Sequence, residues 1–350
     1  MNGTNSMGAT PDEELAPGVA VDQYRIERVI GEGGMSRIYR AVQPLIGKPV
    51  AIKVMHRALL NDPTNVDRFV QEAQVINAIG HPAIVDVFGF GRLEDGRFYA
   101  VMEWLDGESL DTLLKREGPL HAKRACAILR SLCNPLAAAH EKGVIHRDIK
   151  PANVFLLKNG DEVKLLDFGI AKLTQGDAEL NGKTATGILL GTPGYTAPEQ
   201  LRDVPLDEKA DVYALGAVFF EMLFGRRFIQ ASNLADAVVS QSAGLVGNAA
   251  ELWPDLPSDV AQLQRAMVDN SPSQRPSLDR IKEVLDALEL PSTLRFHKGK
   301  GRSESAATAQ AGAQSHKTRW SMGATAFVAL IALLAVTGIG WAAWNQLADE

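Results

Sequence analysis

The chain has 350 residues, of which 46% are hydrophobic and 22% charged, and its formal net charge is −6 at pH 7. This length accommodates one two-lobed globular domain with an appendage. The negative charge argues against nucleic acid as a main partner, because neutralising phosphates requires a basic surface.

Residues 1–22 are predicted to be a disordered leader, and we expect no N-terminal signal peptide. A glycine-rich turn follows: Gly31, Gly33 and Gly34 lie between two apolar runs, the second of which begins at Ile38. Such a turn lets backbone N–H groups approach a phosphate closely, although an ordinary hairpin turn has the same composition.

A buried glutamate is predicted on the first long helix. The β-type run 50–53 ends in a lysine, and a helix is predicted from about Pro63 to Ile79. On that helix Glu72 shares the apolar stripe of Phe69 and Ile76. A carboxylate that faces a core is unfavourable unless a cation pairs with it, so Glu72 requires a partner.

The chain then becomes mainly helical. Residues 99–105 are predicted to form a buried strand that runs into a short linker. A helix from about His121 to Lys142 has one apolar face and contains Pro135, which is expected to kink it. Cys126 and Cys133 fall on this helix, which indicates buried free thiols in a reducing compartment and not a disulfide or a metal site.

Three side chains with hard oxygen atoms are predicted to converge at one end of a hairpin. Asn159-Gly160 stands between two apolar runs, a pattern typical of a tight turn. Counting outward from this turn places Asn153 within about one residue of Asp167, and Asp148 lies just upstream. Carboxylate and amide oxygens suit Mg²⁺, which is usually shared with substrate phosphates.

The motifs together resemble those of eukaryotic-like Ser/Thr protein kinases of the bacterial type. The central match is the run His146-Arg147-Asp148-Ile149-Lys150-Pro151-Ala152-Asn153, followed by Asp167-Phe168-Gly169. The resemblance covers about residues 24–285 and implies an α+β fold with a strand-rich small lobe at 23–103 and a helical large lobe at 109–290, together one domain at 23–290. Ser36 departs from the family pattern, in which a third glycine is expected.

The resemblance also implies a role for each site residue. Asp148 would orient a substrate hydroxyl and accept its proton, and Lys150 would place a cation beside the transferred phosphoryl group. Asn153 and Asp167 would hold Mg²⁺, and Lys53 would be the cation that pairs with Glu72 and contacts the phosphates of ATP. The implied nucleotide-binding residues are Ile30, Gly31, Gly33, Gly34, Ile38, Ala51, Lys53, Glu72, Met102, Glu103 and Leu105.

The activity implied is transfer of the ATP γ-phosphoryl group to Ser or Thr hydroxyls of protein substrates. The alternative from another class is an ATP-binding pseudokinase scaffold at the membrane. Such proteins usually lack the lysine, the catalytic aspartate or the metal aspartate, and here Lys53, Asp148 and Asp167 are all present. A tyrosine kinase is disfavoured by Lys150 and by the run Gly191-Thr192-Pro193.

Two downstream motifs also follow the family pattern. Ala197-Pro198-Glu199 would close the substrate-presenting segment, and Arg275 is the implied ion-pair partner of Glu199. Asp211 begins an apolar helix that is expected to be the central buried one.

The loop from Lys172 to Leu190 is predicted to be a switch controlled by phosphorylation. It is polar and rich in threonine, and Arg147 offers a guanidinium that could pair with a phosphothreonine. Phosphorylation in trans within a transient homodimer is the expected route. The candidate sites are Thr184 and Thr186, and after them Thr174.

The C-terminal part is predicted to anchor the chain in a membrane. Residues 291–319 are a basic, low-complexity linker, and residues 320–344 form a transmembrane helix whose stretch from Met322 contains no charge. Basic residues upstream of the helix place the kinase domain in the cytoplasm, on a single-pass protein of the inner membrane. Residues 345–350 would be a short extracytoplasmic tail, too short for a sensor domain.

Overall fold

A computed structural model describes residues 14–158, 162–169, 193–201, 205–231, 236–237, 239–240 and 249–296. Their first part forms a six-stranded antiparallel sheet in the order β1-β2-β3-β4-β6-β5. Its strands are β1 (Ala20–Val21), β2 (Tyr24–Glu32), β3 (Ser36–Gln43), β4 (Lys48–Met55), β5 (Val87–Arg92) and β6 (Phe98–Glu103). One long helix, α1 (Pro63–Ile79), packs against β5 and β6.

The sheet separates two apolar clusters because its side chains alternate between its faces. Val50 and Ile52 of β4 belong to the outer cluster, whereas Ala51 and Met55 belong to the large inner core. Lys53, which lies between Ile52 and Val54 in β4, therefore points to the inner face. That face also carries the predicted nucleotide-binding residues Ala51 and Met102.

The predicted leader of residues 1–22 is too long, because residues 14–22 lie against the outer face of the sheet. Val21 is buried and pairs with Tyr24 in the β1–β2 ladder. The backbone N–H of Leu15 donates to the Tyr39 hydroxyl at 3.1 Å, and the Leu15 side chain packs on the outer cluster. Two apolar side chains thus fix a segment whose composition resembles a disordered one.

Helix α1 has the predicted bounds. The Asp62 carboxylate accepts from the N–H of Thr64, Pro63 occupies the first turn, and Gly80 ends the helix with φ +61°. The left-handed conformation at Gly80 suits a residue without a side chain.

The second part of the fold is built around a buried and mostly apolar helix, as predicted for the segment that begins at Asp211. Of the 16 residues of α4 (Lys209–Phe224), nearly all are buried. Among the described residues, its other helices are α2 (Leu110–Glu117), α3 (Ala122–Glu141), α5 (Ala249–Leu252), α6 (Ser258–Met267) and α7 (Leu278–Asp286). Helix α3 continues through Pro135, and Cys126 and Cys133 are buried free thiols on it, as predicted.

A small three-stranded sheet lies in the second part of the fold. Its strands are β7 (Gly107–Ser109), β8 (Val154–Leu157) and β9 (Val163–Leu165), in that order. Strands β8 and β9 are the predicted hairpin, and its Asn159-Gly160 turn lies outside the described residues.

The predicted linker at 291–319 begins too early, because the chain remains packed on the domain as far as Phe296. The N–H of Ala122 donates to the Leu294 carbonyl at 2.8 Å. The Phe296 ring contacts Phe224 and Trp253. Within the described ranges, no helix is both long and apolar enough to cross a membrane; the predicted span 320–344 lies outside them.

Candidate active site

The hairpin brings Asn153 next to Asp167, as the count from its turn predicts. Val154 pairs with Leu165 in the β8–β9 ladder. One step further, the N–H of Leu166 donates to the Asn153 carbonyl at 2.9 Å. Asp167 is the residue that follows Leu166, so the register carries its carboxylate to the end of the hairpin where Asn153 lies.

Lys53 joins the sheet, helix α1 and the hairpin. Its Nζ donates to Glu72 Oε1 at 2.9 Å and to Asp167 Oδ1 at 3.0 Å. The predicted pairing of Lys53 with Glu72 is confirmed, and the contact with Asp167 adds a second carboxylate. Lys53 and Glu72 are buried, whereas the Asp167 side chain is 41% exposed. The buried Lys53–Glu72 pair is favourable only while both charges are present, because either one alone would be left desolvated without a partner.

Burial and charge act in opposite directions on this triad. Burial lowers the pKa of Lys53, but the charges of Asp167 and Glu72 outweigh it and raise this pKa above its ordinary value. Burial raises the pKa of Glu72 although Lys53 opposes the shift. Burial also raises the pKa of Asp167, but Lys53 more than offsets that effect and lowers it. Of the two carboxyl groups, Glu72 is therefore the one that takes up a proton first as the pH falls.

Asp148, Lys150 and Asn153 form a second cluster beside Asp167. Lys150 Nζ donates to Asp148 Oδ2 at 2.7 Å. Asn153 Nδ2 donates to the Asp148 backbone carbonyl at 2.8 Å and to Asp148 Oδ2 at 3.1 Å. Because its amide nitrogen faces Asp148, the amide oxygen of Asn153 faces the other way. The charges of Lys150 and Asp148 also act on the Asp167 carboxyl group, which places both clusters in one electrostatic site.

The backbone before Asp148 is held by Asp211, a contact that no sequence motif predicted. The N–H groups of His146 and Arg147 donate to the two Asp211 carboxylate oxygens at 2.8 and 2.9 Å. His140 Nε2 lies 2.8 Å from the same carboxylate, and Asp211 is fully buried. An aspartate at the start of a helix that is otherwise apolar was the available signal, because a buried carboxylate needs donors.

His146 connects this loop to the end of the hairpin. Its Nε2 lies 3.0 Å from the Leu166 carbonyl, and its ring packs against Phe168 with centroids 4.5 Å apart and an interplanar angle of 34°. The Asp148 N–H donates to His146 Nδ1 at 3.3 Å, so Nε2 is the nitrogen whose proton is donated to the Leu166 carbonyl. Burial lowers the pKa of His146. A Cβ on Gly169 would lie 2.9 Å from the Asp148 Cβ, which requires glycine there.

The glycine-rich turn connects β2 to β3. The Gly33 N–H donates to the Ser36 carbonyl at 2.8 Å, and His56 Nε2 lies 2.8 Å from the Gly33 carbonyl. Ile38 pairs with Lys53 across the β3–β4 ladder, which places the turn near the lysine. Ser36 is buried, so the small side chain at the position of the expected third glycine fits without opening the turn.

The segment that joins the two lobes is anchored to the hairpin. Met102 is buried and pairs with Ala51, so both predicted pocket residues share the inner face of the sheet. The Glu103 N–H donates to the Asp86 carbonyl at 3.0 Å, so Glu103 could offer a nucleotide base its carbonyl but not its N–H. The Glu103 carboxylate also forms an ion pair with Lys164 of β9, a contact the sequence did not predict.

The predicted pair of Glu199 and Arg275 is confirmed as a bidentate ion pair. Arg275 Nη2 donates to Glu199 Oε2 at 2.8 Å, and Arg275 Nη1 donates to Glu199 Oε1. Four residues before Glu199, the Tyr195 hydroxyl donates to Glu221 of α4. The segment 193–201 is therefore held to the rest of the large lobe by two side-chain contacts, one with Arg275 and one with Glu221.

The donor set at the hairpin end fits Mg²⁺. The amide oxygen of Asn153, which faces away from Asp148, and the Asp167 carboxylate are hard oxygen ligands. Among the residues that the structure describes, no group of three or more His, Cys, Asp and Glu side chains forms a metal cluster. Two protein ligands are what Mg²⁺ uses when it keeps water molecules and shares substrate phosphates.

The predicted phosphorylation sites cannot be placed in this geometry. Thr174, Thr184 and Thr186 all lie outside the described residues. The two thiols of α3 take no part in the site, since burial raises the pKa of Cys126 and Cys133 to about 12 and keeps them protonated.

Comparison with known proteins gives a consistent result. The model of the protein kinase domain matches residues 24–286. The chain is 40% identical to the serine/threonine-protein kinase pkn3 of Myxococcus xanthus over 62% of this chain and 40% of the relative. It is 40% identical to the serine/threonine-protein kinase PknB of Mycolicibacterium smegmatis, and 39% identical to PknB of Mycobacterium tuberculosis, over 58% of this chain and 33% of each relative. The chain thus spans less than half the length of these curated relatives.

Proposed function

The chain belongs to the protein kinase domain family, and from this premise we propose that it transfers the γ-phosphoryl group of ATP to serine and threonine hydroxyls of protein substrates. The joint placement of four side chains supports the proposal most strongly. Lys53 contacts Asp167, Asn153 contacts Asp148, and the Asp148 charge acts on Asp167. A phosphoryl transfer needs a cation, metal ligands and a carboxylate near the attacking hydroxyl within one cleft.

Lys53 would bind the α- and β-phosphates of ATP. Its ammonium group is held on the inner face of the sheet by Glu72, so its charge is oriented before a nucleotide arrives. The N–H groups of the glycine-rich turn would approach the same phosphates. Preorganised charge of this kind costs no reorganisation when the phosphoryl group moves.

Asn153 and Asp167 would hold Mg²⁺, which neutralises phosphate charge when it is bound. Asp148 would accept a hydrogen bond from the substrate hydroxyl and then its proton. Lys150 Nζ, 2.7 Å from the Asp148 carboxylate, would stabilise negative charge on the transferred group. Little further chemistry is needed, because positioning and charge stabilisation supply most of the acceleration in phosphoryl transfer.

The test is transfer from γ-labelled ATP to myelin basic protein, followed by phosphoamino-acid analysis. The full chain should label serine and threonine but not tyrosine. Lys53→Met should abolish transfer while its thermal unfolding remains cooperative. A folded wild-type chain that binds ATP without transferring phosphate would contradict the proposal and would instead fit a pseudokinase scaffold.

We also propose that residues 320–344 anchor the kinase in the inner membrane with its catalytic domain in the cytoplasm. The supports are the uncharged run 322–344 and the basic residues Lys317 and Arg319 on its N-terminal side. The full chain should remain in the membrane pellet after carbonate extraction, whereas a chain truncated after residue 319 should be soluble. Release of the full chain by carbonate would refute the anchor.

Activation by autophosphorylation in trans is a further proposal. Confinement to a membrane raises the effective concentration of copies and would favour transient homodimers. Mass spectrometry of active protein should find phosphate at Thr184 or Thr186, with Thr174 the less favoured site. The Thr184→Ala, Thr186→Ala double variant should activate poorly, and full activity in that variant would contradict the proposal.

A further inference from the structure

The side-chain amide of Gln200 lies between the catalytic loop and the segment 193–201. Its Nε2 donates to the Arg147 carbonyl at 3.2 Å, and its Oε1 accepts from the Ala197 N–H at 3.0 Å. The first partner can only accept and the second can only donate, so a single orientation of the amide satisfies both. Only a side chain with one donor and one acceptor at this length can make both bonds.

The peptide group that Gln200 contacts is conformationally strained. Arg147 has φ +65°, in the left-handed region that residues with a Cβ rarely adopt. Its N–H is held by Asp211 Oδ1 at 2.9 Å, and its carbonyl is the group that Gln200 binds. Both ends of a strained residue are thus fixed, and the next residue is Asp148.

The other side of the contact is equally well anchored. Glu199 forms the bidentate pair with Arg275, so the residue before Gln200 is tied to the base of the large lobe. Gln200 N–H also donates to the Ala197 carbonyl at 3.0 Å, which closes a tight turn. The amide therefore extends from a rigid segment to a strained peptide.

We propose that Gln200 is a positioning residue: it holds the peptide-presenting segment 193–201 against the catalytic loop and sets the orientation of Asp148 relative to a bound protein substrate. This inference rests on the proposed kinase activity. It concerns the hydroxyl-bearing substrate and not the nucleotide, because neither contact of the amide involves the sheet that carries Lys53.

Two variants separate the two bonds. Gln200→Glu keeps an acceptor for the Ala197 N–H but presents a second oxygen to the Arg147 carbonyl, so it replaces a hydrogen bond by a repulsion. Gln200→Met has a similar length and removes both bonds. If Gln200→Met lowers the yield of folded protein, Gln200→Glu still decides the question, since it preserves the turn at Ala197.

A matched control is available in the same lobe. Gln264 of α6 is buried and its Nε2 donates to the Gly216 carbonyl of α4 at 3.4 Å. It is likewise an amide bonded to a backbone carbonyl, but its partner lies in the middle of α4 and not in the catalytic loop. Gln264→Met should leave turnover unchanged even if it lowers the melting temperature.

The experiment measures kcat and the KM for ATP with full-length protein and myelin basic protein as the phosphate acceptor. Both Gln200 variants should lose about tenfold in kcat, equivalent to ~1.4 kcal/mol, while the KM for ATP stays within about twofold. Gln264→Met should match wild type in both constants. Wild-type kcat in Gln200→Glu, or an equal loss in Gln264→Met, would overturn the positioning role. Failure of the wild-type chain to transfer phosphate would refute the proposed function itself.

Discussion

Replacing Arg275 by methionine should destabilise the large lobe more than any other single charge deletion described above. The Arg275 side chain is fully buried and that of Glu199 is 7% exposed. Besides the ion pair, Arg275 Nε donates to the Asp269 carbonyl at 2.7 Å and Nη1 to the Lys209 carbonyl at 2.8 Å. The variant would leave the buried Glu199 carboxylate and two part-buried carbonyls, those of Asp269 and Lys209, without this donor.

The size of the effect follows from this loss of partners. Removing one member of a buried ion pair costs about 3–5 kcal/mol, because the remaining charge stays desolvated without compensation. For a domain of this size, 1 kcal/mol shifts the melting temperature by ~2–4 °C, so a decrease of about 10 °C is expected. Glu199→Gln should cost less, since a neutral amide can still accept one hydrogen bond from Arg275.

The assay is thermal unfolding followed by circular dichroism, with an exposed pair as the control. Arg280 and Glu283 form an ion pair on α7 in which both side chains are more than half exposed. Arg280→Met should change the melting temperature by no more than about 2 °C, because solvent screens the pair. Equal shifts in Arg275→Met and Arg280→Met would refute the assignment of a structural role to the buried pair.

Two further predictions concern the nucleotide site. Burial raises the pKa of Glu72, so as the pH falls Glu72 should lose its charge at a higher pH than an exposed glutamate and release Lys53. The kcat/KM for ATP should therefore decrease as the pH is lowered. Glu72→Gln should be less active, and its kcat/KM should not show this decrease. If the variant shows the same decrease at low pH as wild type, the titrating group is not Glu72. Lys164→Met should raise the KM for ATP several-fold, because Lys164 fixes Glu103 of the lobe-joining segment. Lys158→Met removes an ion pair with Asp106 of the same joining segment, but both side chains are about two-thirds exposed, so solvent screens the pair and this KM should stay unchanged. Equal effects of the two variants would exclude a specific role for Lys164.

Local periodicity sufficed to predict several features of the site. The two-residue period of a hairpin brings Asn153 beside Asp167, and the structure has this register. The helical period places Glu72 inward, and it meets Lys53. In both cases one short pattern determines which face a side chain occupies, so no long-range information is required.

Contacts between distant segments were not predictable in the same way. Asp211 binds the loop before Asp148 from 64 residues away, and Gln200 reaches Arg147 across 53 residues. No periodicity relates these positions, and only the packing of the lobe brings them together. The direct contact of Lys53 with Asp167 was missed for the same reason.

The predicted end of the leader and the predicted start of the linker were each wrong by several residues, because composition averages over many residues. Leu15 and Val21 stand in a polar, proline-containing segment, yet they cover the outer face of the sheet. Leu294 and Phe296 precede a low-complexity stretch, yet they pack on the large lobe. One or two apolar side chains suffice to order a terminal segment when they can pack on an apolar surface of the domain.

The most direct test of the proposed function compares wild-type protein with Asp148→Asn. Transfer from γ-labelled ATP to myelin basic protein and the dissociation constant for ATP are measured on both. The account predicts a loss of transfer of about 100-fold or more in Asp148→Asn, because the carboxylate that accepts the hydroxyl proton is gone. The dissociation constant for ATP should change little, since Lys53 and Asp167 remain. Undiminished transfer in Asp148→Asn would contradict the account.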